Sequence, residues 1–357
     1  MTGQIPVVYT DRHRLHATDH ILVEGHPLVL YEVPARAEAI LSAVQGARLG
    51  AVVEPTDHGP GPILAVHDAD YVEFLQTVHA ASTAYWGQPE PVLPATFASR
   101  HIARKPNSFL GLKGYYAFGS GSPILADTWL AAYWSAQCAL TAADLVGNGK
   151  RVAYALCRPP GHHAAADLYG GYCYLNNAAI AARYLQGLKG PGTPGMPGPL
   201  VRTAILDVDY HHGNGTQLVF YSDPSVLYCS IHVHPDEDYP YYWGDAAEIG
   251  AGPGQGTNHN WPLPRGSGDV QYLAVLEEAR AVIGEFSPDY LVISAGFDLV
   301  EGDPEGGFQV STGGLCEIGR QIARLSLPTL LVQEGGYRLD RLGADAVAFL
   351  QAFIAEP

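Results

Sequence analysis

A chain of 357 residues, 47 % of them hydrophobic and 16 % charged, can bury a large core, which excludes disorder as a global description. Its 36 Asp and Glu against 20 Lys and Arg leave a formal charge of −16, which repels phosphate backbones and argues against a nucleic-acid partner. The same charge suits a cationic substrate, or solubility alone.

In chain order, Val7-Val8-Tyr9 predicts a first strand, and Pro34 opens a helix running to about Val44. Ala51–Val53 reads as a second short strand, and apolar residues at helical spacing predict another helix from His67 to Val78. From about 81 to 126 the periodicity fails, with prolines and glycines interspersed among aromatics; so long an irregular insert usually covers a site or makes an interface. A helix resumes from Thr128 to Leu145 and is closed by Gly147-Asn148-Gly149. Beyond it, strands at Val152–Cys157, Thr203–Asp209, Val226–Ile231, Tyr290–Ser294 and Thr329–Gln333 alternate with helices near Asn176–Leu188, Thr216–Tyr221, Val270–Glu285 and Gly313–Leu325. Short Val/Ile/Leu-rich strands of this kind are buried on both faces. Their alternation with helices predicts one α/β domain spanning 1–357, with a parallel sheet covered on both sides. The Pro/Gly tract 190–199 reads as a loop, and 232–268 as a second irregular stretch.

Five cysteines, at 138, 157, 173, 229 and 316, form no CxxC pair, which fits reduced thiols in a cytoplasmic protein. The opening residues have neither a basic nor an apolar leader pattern. No stretch approaches the roughly 18 consecutive apolar residues of a membrane span.

In open α/β sheets, ligands bind beyond the carboxyl ends of the strands, and there this chain carries its unusual residues. The strand ends read Arg158-Pro-Pro-Gly-His162-His163, Asp207-Val-Asp209-Tyr-His211-His212, His232-Val-His234, Ala-Gly-Phe-Asp298 and Glu334-Gly-Gly-Tyr337. Asp207, Asp209 and His211 alternate along an extended chain and so share a face. Two carboxylates and an imidazole are costly to desolvate unless a cation lies between them, or unless they form a satisfied cluster of core hydrogen bonds. Asp209, His211 and Asp298 would give three ligands with open positions, which suits a catalytic metal: zinc, with iron(II) or cobalt also compatible. His162 and His163 would then supply proton transfer, and Tyr337 a donor to a developing oxyanion. Hydrolysis of an amide or ester by a metal-bound water follows.

These runs, with Gly171-Tyr-Cys-Tyr-Leu-Asn-Asn, resemble the metal-dependent histone deacetylase family over nearly the whole chain, and within it the bacterial acetylpolyamine amidohydrolases. The resemblance implies a single-domain, three-layer αβα arginase/deacetylase-like fold with about eight mainly parallel strands. It implies zinc on Asp209, His211 and Asp298, His163 as base and then acid, His162 beside the water, and Tyr337 on the scissile carbonyl. Asp207 would stand behind His162 and Asn214 behind His163. Tyr172, with Gly171, and Tyr239 would line an acyl-chain tunnel. Potassium would use Asp207, Asp209, His211, Ser230 and Ile231, with a second site near Phe220, Asp223 and Val226. Arg36 would line an internal channel or pair with a core acid. His212 faces away from the mechanism, and His232 and His234 match no ligand position and read as hydrogen-bonding loop residues.

The relatives so resembled hold a substrate's distal ammonium with acids on their insert. Here no Asp or Glu occurs between Glu90 and Asp127, and Arg100, Arg104, Lys105 and Lys113 make the insert basic. Glu305 is the acid that resembles a gatekeeper for polyamines. The expected substrate is therefore a small cationic N-acetylated amine, with acetyl-lysine peptides as the alternative and a homodimer formed through 81–126. A two-manganese ureohydrolase is a weaker reading, because Asp298 is followed by Leu299-Val300 and the second metal lacks ligands.

Overall fold

The computed structural model describes residues 4–18, 20–23, 26–188 and 201–355. In chain order the elements are β1 (Val7–Val8), a 3₁₀ turn, β2 (His20–Val23), β3 (His26–Val29), α1 (Ala35–Gly46), β4 (Val52–Val53), α2 (Gly61–Leu64) and α3 (Ala69–Trp86). The short helix α4 (Phe109–Tyr115) and the long α5 (Thr128–Gly147) follow, then β5 (Val152–Ala155), α6 (Asn177–Leu188), β6 (Thr203–Asp207), α7 (Asn214–Phe220), β7 (Val226–Val233) and β8 (Asn258–Leu263). Last come α8 (Asp269–Phe286), β9 (Tyr290–Ala295), α9 (Thr312–Ala323), β10 (Thr329–Gln333) and α10 (Leu339–Ala355).

Eight strands form one sheet in the order β4-β1-β5-β10-β9-β6-β7-β8, and every pairing in it is parallel. Parallel neighbours need crossovers, so helices cover both faces. The strand side chains sort by parity. Ala204, Leu206, Leu291 and Ile293 pack on the face covered by α1, α8, α9 and α10, while Ile205, Tyr290 and Val292 join α3, α5 and α6 on the other. On α10, Leu342, Ala346, Phe349, Leu350 and Phe353 recur at helical spacing and are all buried. Phe349→Ala would cost about 3–5 kcal/mol there. The register sets Asp207, the last residue of β6, abreast of Ser230 on β7 and Ser294 on β9.

Several expectations shift. The strand expected at Thr203–Asp209 stops at Asp207, because from there the side chains of Asp207 and Asp209 take up backbone N–H groups that a longer ladder would use. β7 continues to Val233, so His232 is a strand residue and not a loop one. The insert is less irregular than its composition suggests: α3 runs on to Trp86, where Gly87 at φ 77° ends it, and α4 lies within it, capped by the Ser108 side chain. The stretch 232–268 contains β8, an edge strand whose Pro262 and polar residues hide its pattern. The tract 190–199 lies outside the described residues. Among the described residues, no helix is long and apolar enough to cross a membrane.

Candidate active site

Beyond the carboxyl ends of β5, β6, β9 and β10 lies a cavity of about 340 Å³. Of the three expected metal ligands, His211 lines it, and Asp209 and Asp298 lie against the His211 ring. His211 Nδ1 is 3.3 Å from Asp209 Oδ1 and 3.2 Å from Asp298 Oδ2, and both carboxylates are buried. Their other oxygens are already held: Gly335 N–H donates to Asp209 Oδ2 at 2.8 Å, and Tyr210 N–H to Asp298 Oδ1 at 2.9 Å. One imidazole nitrogen thus faces two carboxylate oxygens. A proton there serves one of them well, whereas a cation serves both. The separations also match the edge of a tetrahedron with bonds of about 2.0–2.2 Å, the length of zinc–nitrogen and zinc–oxygen bonds. Burial and the neighbouring Asp209 push the Asp298 carboxyl above its usual range, while His162 and His211 hold Asp209 below its usual range against the opposing effect of burial. The donor set fits a divalent metal.

Glycines make this crowding possible. A Cβ on Gly296 would lie 2.0 Å from Asp209 Oδ2, and one on Gly335 2.1 Å from Asp298 Oδ2. Gly171 adopts φ 55°, and a Cβ there would fall 2.2 Å from the His163 ring, so the chain passes flat against that imidazole.

The two histidines sit side by side but in opposite environments. His162 Nδ1 faces Asp207 Oδ2 at 3.1 Å and its Nε2 faces Asp209 Oδ1 at 3.8 Å. Burial alone would lower its pKa; the Asp209 and Asp207 charges outweigh that and hold it at about 10. His163 Nδ1 meets the neutral Asn214 Oδ1 at 2.7 Å. Burial, then the neighbouring His162 and His211, push its pKa well below the ordinary imidazole value. One ring is thus set as a cation and its neighbour as a neutral base.

Tyr337 and Glu305 reach the cavity from the segments after β10 and β9, and Tyr172 and Tyr239 line it as well. Tyr172 packs 5.9 Å from Tyr337, and Tyr239 packs 5.0 Å from His163, centroid to centroid. Arg36 pairs with buried Glu32 at 2.8 Å. His212 is buried against His232, and His234 accepts from the Asp236 N–H.

Some of the site was not expected. Phe118, from the insert, stacks on Tyr239 at 6.0 Å, and Gly119, Ser120 and Gly121 line the mouth. Asp238 lines it too, accepting from Tyr210 and Arg265 side chains and from the Tyr239 N–H. A second close set, His162, Cys173 and Glu334, lies beneath the cavity. Burial raises the Cys173 thiol well above its usual pKa, and Glu334 is occupied by the Gly161 and His162 N–H groups and the Ser294 hydroxyl. That set is a hydrogen-bonded support, poorly suited to a metal.

Fold and site define the class: a parallel α/β protein with its candidate active site at the carboxyl ends of the strands. A family model described as the histone deacetylase domain matches residues 30–353, and the chain belongs to that family. Acetylpolyamine amidohydrolase 1 of Pseudomonas aeruginosa is 46 % identical over 351 residues, 97 % of this chain and 98 % of that one. Acetylpolyamine amidohydrolase 2 of the same organism is 42 % identical over 347 residues, with 97 % and 98 % covered. The crystal structure of an acetylpolyamine aminohydrolase from Burkholderia pseudomallei superposes with a TM-score of 0.90 at 39 % identity, covering 99 % of both chains.

Proposed function

We propose that this chain hydrolyses the acetamide bond of N-acetylated polyamines. The observation that carries the reading is Glu305, whose half-buried carboxylate opens on the same cavity as His163, His211 and Tyr337. Burial raises its pKa, so an ammonium group arriving at the mouth would relieve an unfavourable charge. The high identity to two acetylpolyamine amidohydrolases supports the same substrate class.

Asp209, His211 and Asp298 would hold a zinc ion, and iron(II) or cobalt(II) suit the same donors. When bound, the ion acidifies a water and polarises the acyl carbonyl. His163 takes the water's proton on Nε2; its Nδ1–H, donated to Asn214 Oδ1, fixes that tautomer. It then passes the proton to the amine nitrogen as the C–N bond breaks, releasing acetate and the free amine. His162, cationic between Asp207 and Asp209, orients the water and offsets the developing negative charge. The Tyr337 hydroxyl donates to the carbonyl oxygen as it gains charge. Tyr172 and Tyr239 pack on the alkyl chain, with Gly171 keeping the wall close to His163.

Potassium is proposed among Asp207, Asp209, His211, Ser230 and Ile231. His232 donates Nε2–H to the Gly244 carbonyl, so its Nδ1 accepts the Ser230 hydroxyl proton. Around Phe220, Asp223 and Val226, the Asp223 side chain is engaged by Ser225 and Arg183, which leaves main-chain carbonyls as the donors for a second cation. A homodimer is proposed through 81–126, where Trp86 and Ile102 are exposed.

The test is a substrate panel of N-acetylated putrescine, cadaverine, spermidine and acetyl-lysine peptides. Wild type is expected to favour the polyamines, and Glu305→Leu to lower the polyamine-to-peptide ratio about tenfold, the value of one charged contact. An unchanged ratio would overturn the gating role, and a preference for peptides would favour acetyl-lysine deacetylation.

A further inference from the structure

We propose that Tyr228 is a positioning residue for the reaction, acting through Asp207 to hold His162 in place. Tyr228 lies on β7 two pairings before Ser230, opposite Ile205 of β6, with its hydroxyl directed at the strand end, and is 1 % exposed. Its oxygen is 3.0 Å from Asp207 Oδ2 and 3.1 Å from the Gly213 carbonyl oxygen. The hydroxyl has one proton to give, and an ionised carboxylate is the stronger acceptor, so the proton goes to Asp207. That same Oδ2 faces His162 Nδ1 at 3.1 Å, while Asp207 Oδ1 accepts from the Asp209 N–H at 3.2 Å.

Asp207 is therefore gripped on both oxygens. Without Tyr228 its Oδ2 would keep only the imidazole, and the carboxylate could turn about its own bond, carrying His162 with it. Gly213 shows how closely these groups fit. A Cβ there would lie 2.2 Å from Asp207 Oδ2, 2.5 Å from the Tyr228 oxygen and 3.2 Å from His162 Nδ1. Among residues that touch the Asp207–His162 pair, Tyr228 is the one whose hydroxyl reaches it from a neighbouring strand, so the register of β7 on β6 is transmitted to the imidazole. The alternative is that Tyr228 merely fills the core.

This rests on the proposed role of His162 and Asp207, and the experiment separates the two. Tyr228→Phe, Asp207→Asn and the double variant are compared at matched metal content. Tyr228→Phe is expected to lower kcat about tenfold, the lower end for an outer hydrogen-bond partner, with KM changed less than about twofold. In the Asp207→Asn background the same change should do nothing further, and His162→Ala supplies a second background with the same expectation. An equal fold-loss in all backgrounds, or full kcat in Tyr228→Phe, overturns the proposal. Wild-type kcat in Asp207→Asn overturns the underlying pair, and Tyr228 with it. Should the Phe variant fail to fold, 3-fluorotyrosine at 228 keeps the test: a changed kcat that becomes insensitive in Asp207→Asn supports the proposal, and an unchanged one overturns it.

Discussion

The Arg36 guanidinium lies 4.4 Å from the centre of the Tyr337 ring and donates at 2.6 Å to the carbonyl of Gly336, the residue before it, and at 2.6 Å to that of Glu334. A buried cation thus clamps the turn that presents the tyrosine. Glu32 balances it at 2.8 Å and is shared with Arg158, also at 2.8 Å. Arg36→Ala should lower kcat more than it raises KM, because the ground-state pocket survives while Tyr337 loses its aim. It should also cost about 3 kcal/mol, at the low end for breaking a buried pair because Arg158 remains to Glu32. Steady-state kinetics with denaturant unfolding check both; a KM effect alone would place Arg36 in substrate binding.

The two histidines should respond unequally. His163 is the neutral ring hydrogen-bonded to Asn214, and His162 the cation between carboxylates. Removing the base, His163→Ala, should cost at least about a thousandfold in kcat/KM, within the range for general acid–base catalysis. His162→Ala should cost less, since its charge assists a proton transfer that His163 still performs. Kinetics at equal metal content decide it, and the reverse order would exchange the two roles.

How legible this was depended on where residues stand relative to the strands. Polar residues after five apolar strands advertised the candidate ligands and histidines, because charges at the ends of buried strands are costly unless a cation or a satisfied hydrogen-bond cluster offsets them. Tyr228 was within reach too: it shares parity with Ser230, yet a tyrosine in an apolar strand reads as core. The stripe Leu342, Ala346, Phe349, Leu350, Phe353 is likewise present in the sequence at helical spacing. Phe118 and Asp238 were beyond reach. They come from irregular segments, whose path is fixed by contacts distant in sequence, such as the Phe118 N–H to the Tyr169 carbonyl and Arg265 to Asp238. β8 failed for a different reason, since its Asn, His and Pro content is that of a loop and pairing with β7 alone makes it a strand.

Acid should destabilise the fold through buried imidazoles, of which His67 is the clearest. Its Nε2 accepts the Asn176 N–H at 2.9 Å, so protonation would set two donors against each other. Burial lowers its pKa to about 4 from an unfolded value near 6.5. Between those values the unfolded chain binds more protons, so stability falls as pH drops from about 6.5 to 4 and is fully present above it. His67→Gln should lower Tm at pH 7 yet show a shallower decline from pH 7 to 5 than wild type. Thermal unfolding across that range checks the slope, and equal slopes would mean His67 does not contribute.

The insert offers the last test. Tyr85 and Trp86 end α3 at 58 % and 59 % exposure, and Ile102 is 73 % exposed. Side chains of this kind stabilise association by about 1.5–3 kcal/mol each when fully covered, enough for a few of them to hold two chains together. Of the basic residues around them, Lys105 is already paired with Asp70 of α3. Light scattering of wild type should give the mass of two chains, and Trp86→Glu with Ile102→Glu the mass of one. Because Gly119 to Gly121 of the same insert line the cavity mouth, the one-chain form should also show a raised KM for acetylated polyamines. A one-chain mass in wild type, or two chains in the double variant, would remove the insert from the interface.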